Sequence, residues 1–220
     1  MASNLDLEEQ EQMAQLRHFW STYGNWITWT LVLALASYAA WNGYQYWQGS
    51  QASKAAALYD EVERAVTSGD VSRIERSLAD MQAKYASTTF AQQATLLAAK
   101  SHAEQDRREA ARTALQWVAD KASDPIYKDV ARLRLAALLL DDKAHDKAMS
   151  ILQSSFEPAM IGLASDLKGD VHMAQGRQEQ AVAAYRQAWQ LLDAKTEYRR
   201  IVQAKLFALG VDPEKAEATK

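Results

Sequence analysis

The sequence predicts an all-α protein, with a single N-terminal transmembrane helix followed by a helical-repeat solenoid. Three observations carry that expectation. Between Phe19 and Ser53 there is no Asp, Glu, Lys or Arg. The rest of the 220 residues is rich in Ala, with Pro only at 125, 158 and 213, a composition that favours helices and offers few breaks for strands. Small residues in that remainder also recur at a nearly constant spacing, as repeated helical hairpins require.

Residues 1–24 read as an acidic tail, whose cytoplasmic side only the resemblance described below implies. Asp6, Glu8, Glu9 and Glu11 stand there against Arg17 and account for the whole formal charge of -3, because the remaining 24 basic and 24 acidic residues cancel. A balanced domain lacks the basic stripe that neutralises phosphates, so nucleic acid is not an expected partner. Cys is absent, which excludes structural disulfides, thiol catalysis and thiolate metal sites.

Residues 25–47 read as the transmembrane helix. A helix from Trp26 to Tyr46 would extend about 30 Å, the hydrocarbon thickness of a lipid bilayer. Trp26 and Trp29 at one end and Trp41, Tyr44 and Trp47 at the other are the expected membrane-interface anchors, since indole and phenol rings prefer the headgroup boundary. A cleaved signal peptide competes poorly: the residues before the run are acidic, the run is long, and no clean A-x-A cleavage site follows. Thr28, Thr30 and Ser37 can bond back to their own helix. The spacings Ala36-x-x-x-Ala40 and Ala39-x-x-x-Gly43 would let a second helix approach. Orientation is not written in charge, because Arg17 on one side is matched by Lys54 on the other.

Residues 48–210 form the expected repeat domain, with 211–220 as a C-terminal tail. Apolar periodicity and turn signals predict helices near 52–67, 71–85, 90–104, 108–121, 126–140, 144–154, 159–175, 178–192 and 197–209. Ala99, Ala136 and Gly169 share one repeat position, and Ala111, Ala148 and Ala181 share another; in both series the steps are 37 and then 33 residues. Pro125 and Pro158 sit at the joints, where a fixed φ and a missing N–H suit a helix start, and Asp124 is placed to cap its helix. In the last unit Gly169, Gly176, Ala181, Tyr185 and Ala188 follow the tetratricopeptide spacing of small and aromatic residues. The reading is three degenerate tetratricopeptide-like units, a partial hairpin over 52–85 in front, and 197–209 covering the far end. A plain helical bundle is the alternative.

A stack of hairpins exposes a groove along the first helix of each pair. The register puts Gln93, Leu96 and Lys100 there in unit one, Leu133 and Ala137 in unit two, and Asp166, Asp170 and Met173 in unit three. Mixed apolar and charged side chains suit extended or partly folded polypeptide. Catalytic chemistry is not legible. The histidines at 18, 102, 145 and 172 are scattered, and Asp166, Asp170 and His172 do not share one helix face as metal ligands would. No nucleotide, zinc-protease or nucleophile-elbow motif occurs, so neither an enzyme nor a cofactor is expected.

Several stretches, in order and distance, carry a resemblance. They are the start Glu8 to Gln12, then Leu16-Arg17-His18-Phe19-Trp20 and Tyr23-Gly24-Asn25, the exit Gly43-Tyr44-Gln45-Tyr46-Trp47-Gln48, the Ala-rich 52–59, and Ala164-Ser165-Asp166-Leu167-Lys168-Gly169-Asp170 followed by Gly176 and Ala181. Together they resemble the YfgM family, the ancillary subunit of the SecYEG translocon. The resemblance implies a single-pass inner-membrane protein with a cytoplasmic N-terminus and periplasmic repeats. It also implies as partners the translocon, a membrane-anchored periplasmic chaperone of the PpiD type, translocating polypeptides and the lipid bilayer. No catalytic residue comes with it. The rival reading is a membrane-tethered helical-repeat scaffold for another envelope assembly, in division or secretion.

Overall fold

The computed structural model describes residues 7–217; positions 1–6 and 218–220 of the expected tails lie outside them. Two compact units divide at Gln51 and Ala52. Helix α1, Leu7–Ser68, supplies the described residues of the first unit and ends in the second.

The expected transmembrane helix is overturned. Among the described residues no helix is long and apolar enough to cross a membrane. At 62 residues α1 has ample length, so apolarity is what fails. Rings at 26, 29, 38, 41, 44, 46 and 47, with Asn42, Gln45, Thr28, Thr30 and Ser37, dilute the aliphatic content and leave Leu31 to Ala36 as the only purely aliphatic run. Absence of charge is a weaker condition than apolarity. Trp26, Trp29, Trp41, Tyr44 and Trp47 are exposed rings on α1. The hydroxyls behave as expected: Thr28 donates to the Gly24 carbonyl at 2.7 Å, and Thr30 and Ser37 to carbonyls one turn back at 2.8 Å.

The second unit is a row of helices close to those the periodicity predicts: α2 Val71–Tyr85, α3 Thr89–Glu104, α4 Arg108–Lys121, α5 Pro125–Asp141, α6 His145–Leu152, α7 Pro158–Ala174, α8 Gln178–Leu191, α9 Glu197–Ala208 and the short α10 Pro213–Glu217. Principal packing joins helices one or two places apart in the chain, which makes an array of hairpins and not a closed bundle. Starts are fixed locally. Asp124 accepts from the Ile126 N–H at 2.8 Å, Asp70 caps α2 and Thr88 caps α3, and Pro125 and Pro158 occupy the first helical positions.

The hairpin turns share one geometry. Two residues past the first helix of each unit the chain takes a left-handed conformation, at Asp106, Lys143 and Gly176, and Gly69 does so directly after α1. Just beyond it an N–H returns to the helix it has left. Arg107 N bonds the His102 carbonyl, Ala144 N that of Leu139, and Arg177 N that of His172, each at 2.8 Å. These are repeated Schellman closures that satisfy the last carbonyls.

Packing follows from side-chain size at the crossing. Ala99 and Ala136 are buried with Leu115 and Leu152 in one core cluster, whereas Gly169 faces Tyr185, and a Cβ at Gly169 would overlap the Tyr185 ring. A ring where the other units have Leu leaves no room for the Ala they carry. The front hairpin, whose sequence fits the repeat poorly, packs Ala55, Val62 and Ala65 against Ile74, Leu78 and Met81 and then against Ala91, Ala94 and Ala98 of α3. Full burial of each large side chain contributes about 1.5–3 kcal/mol.

Gly169→Ala is therefore expected to cost about 1–3 kcal/mol by overpacking. Tyr185→Leu removes the overlapping ring but also the Tyr185 hydroxyl's bond to Asp170, so it should cost less stability in the Gly169→Ala background than in the parent; thermal or urea melts of the two single variants and the double variant check this coupling. A second expectation concerns His102, which is 2% exposed. Burial first, and then the nearby Arg107 guanidinium, hold its pKa below the ordinary value, against a pull from Glu75. The unfolded chain then binds more protons between that lowered pKa and about 6.5, so stability rises with pH across this window. His102→Gln should narrow the difference between melting temperatures at pH 5 and pH 7. His172, lowered for the same reason by burial and Arg177, keeps the remainder.

Candidate functional site

A cleft of about 420 Å³ opens between the C-terminal halves of α3 and α5, with α4 behind it. Its floor is Ala99, Ala103, Leu115, Ala137 and Leu138, and its rim carries Lys100, Glu104, Arg134 and Asp141. One-turn spacing explains the selection: 99, 100, 103 and 104 share one face of α3, while 134, 137, 138 and 141 share one face of α5. The cleft exists because Ala stands at three floor positions where longer side chains would fill it. Of the residues the register assigns to a groove, Lys100 and Ala137 line this cleft.

The others lie elsewhere. Gln93 donates to the Tyr127 hydroxyl at 2.6 Å and ties α3 to the start of α5. Leu96 is buried in the core, and Leu133 is half-buried against it. Met173 is exposed near the end of α7.

In the third unit the acidic pair is engaged by α9. Asp166, 1% exposed, accepts from the Tyr198 hydroxyl at 2.6 Å and from Lys205 Nζ at 2.8 and 2.9 Å. Asp170 accepts from the Tyr185 hydroxyl at 2.7 Å and from the same ammonium at 2.7 and 2.8 Å. That ammonium also lies 5.2 Å from the centre of the Tyr185 ring, an added cation–π attraction. Burial, and next the carboxylate each phenol bonds, push the pKa of both tyrosines well above the usual range, so both hydroxyls remain donors.

Residues 17–211 match the family of tetratricopeptide repeat-like domains. A protein of Neisseria gonorrhoeae named ancillary SecYEG translocon subunit is 33% identical over 204 residues, which is 92% of this chain and 98% of the relative. The chain belongs to the YfgM family. Proteins of the same name from Haemophilus influenzae and Escherichia coli are 26% identical over 184 residues and 24% identical over 203, covering 84% and 92% of this chain and 90% and 97% of their own lengths. No solved structure matches.

Two polar centres of this YfgM-family chain escape sequence reasoning. Lys205 is one, although a signal existed: Tyr198, Val202 and Lys205 lie along one face of α9, so the lysine interrupts an inward-facing stripe. Asp129 is the other. At 2% exposure on α5, it accepts from the Glu157 N–H at 2.7 Å and from Arg132 at 3.3 Å, fixing the joint where α7 begins. Among the described residues no group of three or more His, Asp or Glu is placed to hold a metal, and Asp166 and Asp170 are already bridged by an ammonium.

Lys205→Met should cost about 3 kcal/mol, because removing one partner leaves buried charge uncompensated. Asp166→Asn and Asp170→Asn added to it should recover at least half of the loss. Urea unfolding of the three forms checks this, and equal stability of Lys205→Met and the parent would contradict it.

Proposed function

We propose that this chain is a non-enzymatic accessory subunit of the SecYEG translocon, which holds translocating polypeptides weakly in the α3–α5 cleft and passes them toward a membrane-anchored periplasmic chaperone. The observation that carries the reading is the cleft itself: an apolar floor of small residues under a charged rim, in a chain whose relatives are named for the translocon. An apolar floor accepts many side chains, and a charged rim keeps the site hydrated when empty. In this reading the chain works at the inner membrane with its repeats on the periplasmic side, and the exposed rings of α1 form the surface that attaches it to the translocon.

Attachment sets the affinity the cleft needs. A site held beside the channel exit meets an emerging segment at an effective concentration of about millimolar, so a dissociation constant of that order retains the segment briefly and still releases it.

Ala137→Trp fills the floor and leaves the exposed rings of α1 untouched. With a photocrosslinker at Lys100 and an arrested translocating chain, the variant should crosslink about tenfold less, a loss of about 1.4 kcal/mol, while copurifying with the translocon as the parent does. Undiminished crosslinking would remove the cleft from the mechanism.

A further inference from the structure

The two walls of the cleft differ in how their charges are spent. On α3, Lys100 and Glu104 face each other one turn apart at 3.7 Å, both well exposed. Such a pair is nearly self-neutralised and contributes little. On α5, Arg134 and Asp141 have no hydrogen-bond or ion-pair partner among the described residues. Nearby charges that could have compensated them are committed elsewhere: Asp142 to Arg108 at 2.6 Å and Arg112 at 2.8 Å, and Arg132 to Asp129 at 3.3 Å. The α5 rim therefore presents one free guanidinium and one free carboxylate seven residues apart, about 10.5 Å along the helix, with Ala137 and Leu138 between them.

A ligand that satisfies both must carry an acid and a base about 10 Å apart on one side. In an unfolded chain the polyproline II conformer does this at positions i and i+3, which point the same way after one turn of about 9.3 Å. In a fully pleated strand i and i+3 point to opposite faces. From the unpaired Arg134 and Asp141 astride the apolar floor, we infer that the cleft selects unfolded segments that carry an acid and a base three residues apart. Such a segment lies extended along α5, with an intervening apolar side chain turned to the floor. The inference rests on the cleft being the polypeptide site and adds the class of segment it prefers.

The test uses the full-length chain and fluorescein-labelled 12-residue peptides with Gly-Ser flanks around Glu-Leu-Ala-Lys, Glu-Leu-Ala-Glu or Lys-Leu-Ala-Lys, read by anisotropy. A fourth, Ala-rich helical peptide carries Glu and Lys seven residues apart. Glu-Leu-Ala-Lys should bind the parent at least about fivefold more tightly than the other three. R134E should turn the preference to Lys-Leu-Ala-Lys, and D141K to Glu-Leu-Ala-Glu. Preferences that stay unchanged in R134E and D141K would overturn the inference, as would absence of binding by every peptide or tightest binding of the helical peptide. Ala137→Trp separates the two levels. If it abolishes binding while the charge variants change nothing, the cleft stands and the charge register falls. If it leaves every affinity unchanged, the cleft itself is not the site.

Discussion

Paired helices in this chain approach only as closely as one residue on the first helix allows, and everything else in the repeat array depends on that contact. Ala99 and Ala136 set the distance for packing with Leu, and Gly169 sets it for packing with Tyr185. The pairing is conjugate, with a smaller residue on one helix admitting a larger one on the other. Interiors are packed too densely for either to change alone. Once the hairpin spacing is fixed in this way, the repeated left-handed turn at Asp106, Lys143 and Gly176 returns the chain in the same direction each time, and successive first helices come to lie side by side.

Apolar contact alone would let adjacent hairpins slide, because Ala-rich faces are smooth. Polar bridges of long sequence separation pin the register. Gln92 donates to Ser123 at 2.7 Å and Gln93 to Tyr127 at 2.6 Å, joining units one and two, while Asp129 fastens the joint before unit three. Each bridge is buried or half-buried, where a satisfied hydrogen bond specifies position because its loss leaves a desolvated group. The cleft lies between two first helices that are held apart by these bridges and floored by Ala, so its width comes from the scaffold and not from the groups that line it.

Helix positions were legible in the sequence because their determinants are local: apolar period, Pro125 and Pro158 at starts, Asp124 as a cap. The small-residue register was legible for the same reason. What escaped was pairing across distance. Asp166 and Asp170 fall at groove positions by repeat register; the group that balances them, Lys205, lies 39 and 35 residues away. Periodicity gives the face of a residue but not what stands opposite. The transmembrane expectation failed for a different reason. The run between Phe19 and Ser53 is free of charge and its rings suit interface anchors, but those same rings, with Asn42, Gln45 and the hydroxyls, leave it less apolar than a membrane-crossing helix must be.

The Lys205 bridge also bears on how such arrays change length. A further hairpin inserted after α8 would displace α9 from Asp166 and Asp170 and strand one buried and one half-buried carboxylate. Growth at this end thus demands a simultaneous change of both acids, or a newcomer that brings its own ammonium to the same height on its first helix. The opposite end, closed by aliphatic side chains such as Val62 and Ile74, imposes no such electrostatic toll, so duplication of units is easier to accommodate toward the N-terminal side of the row.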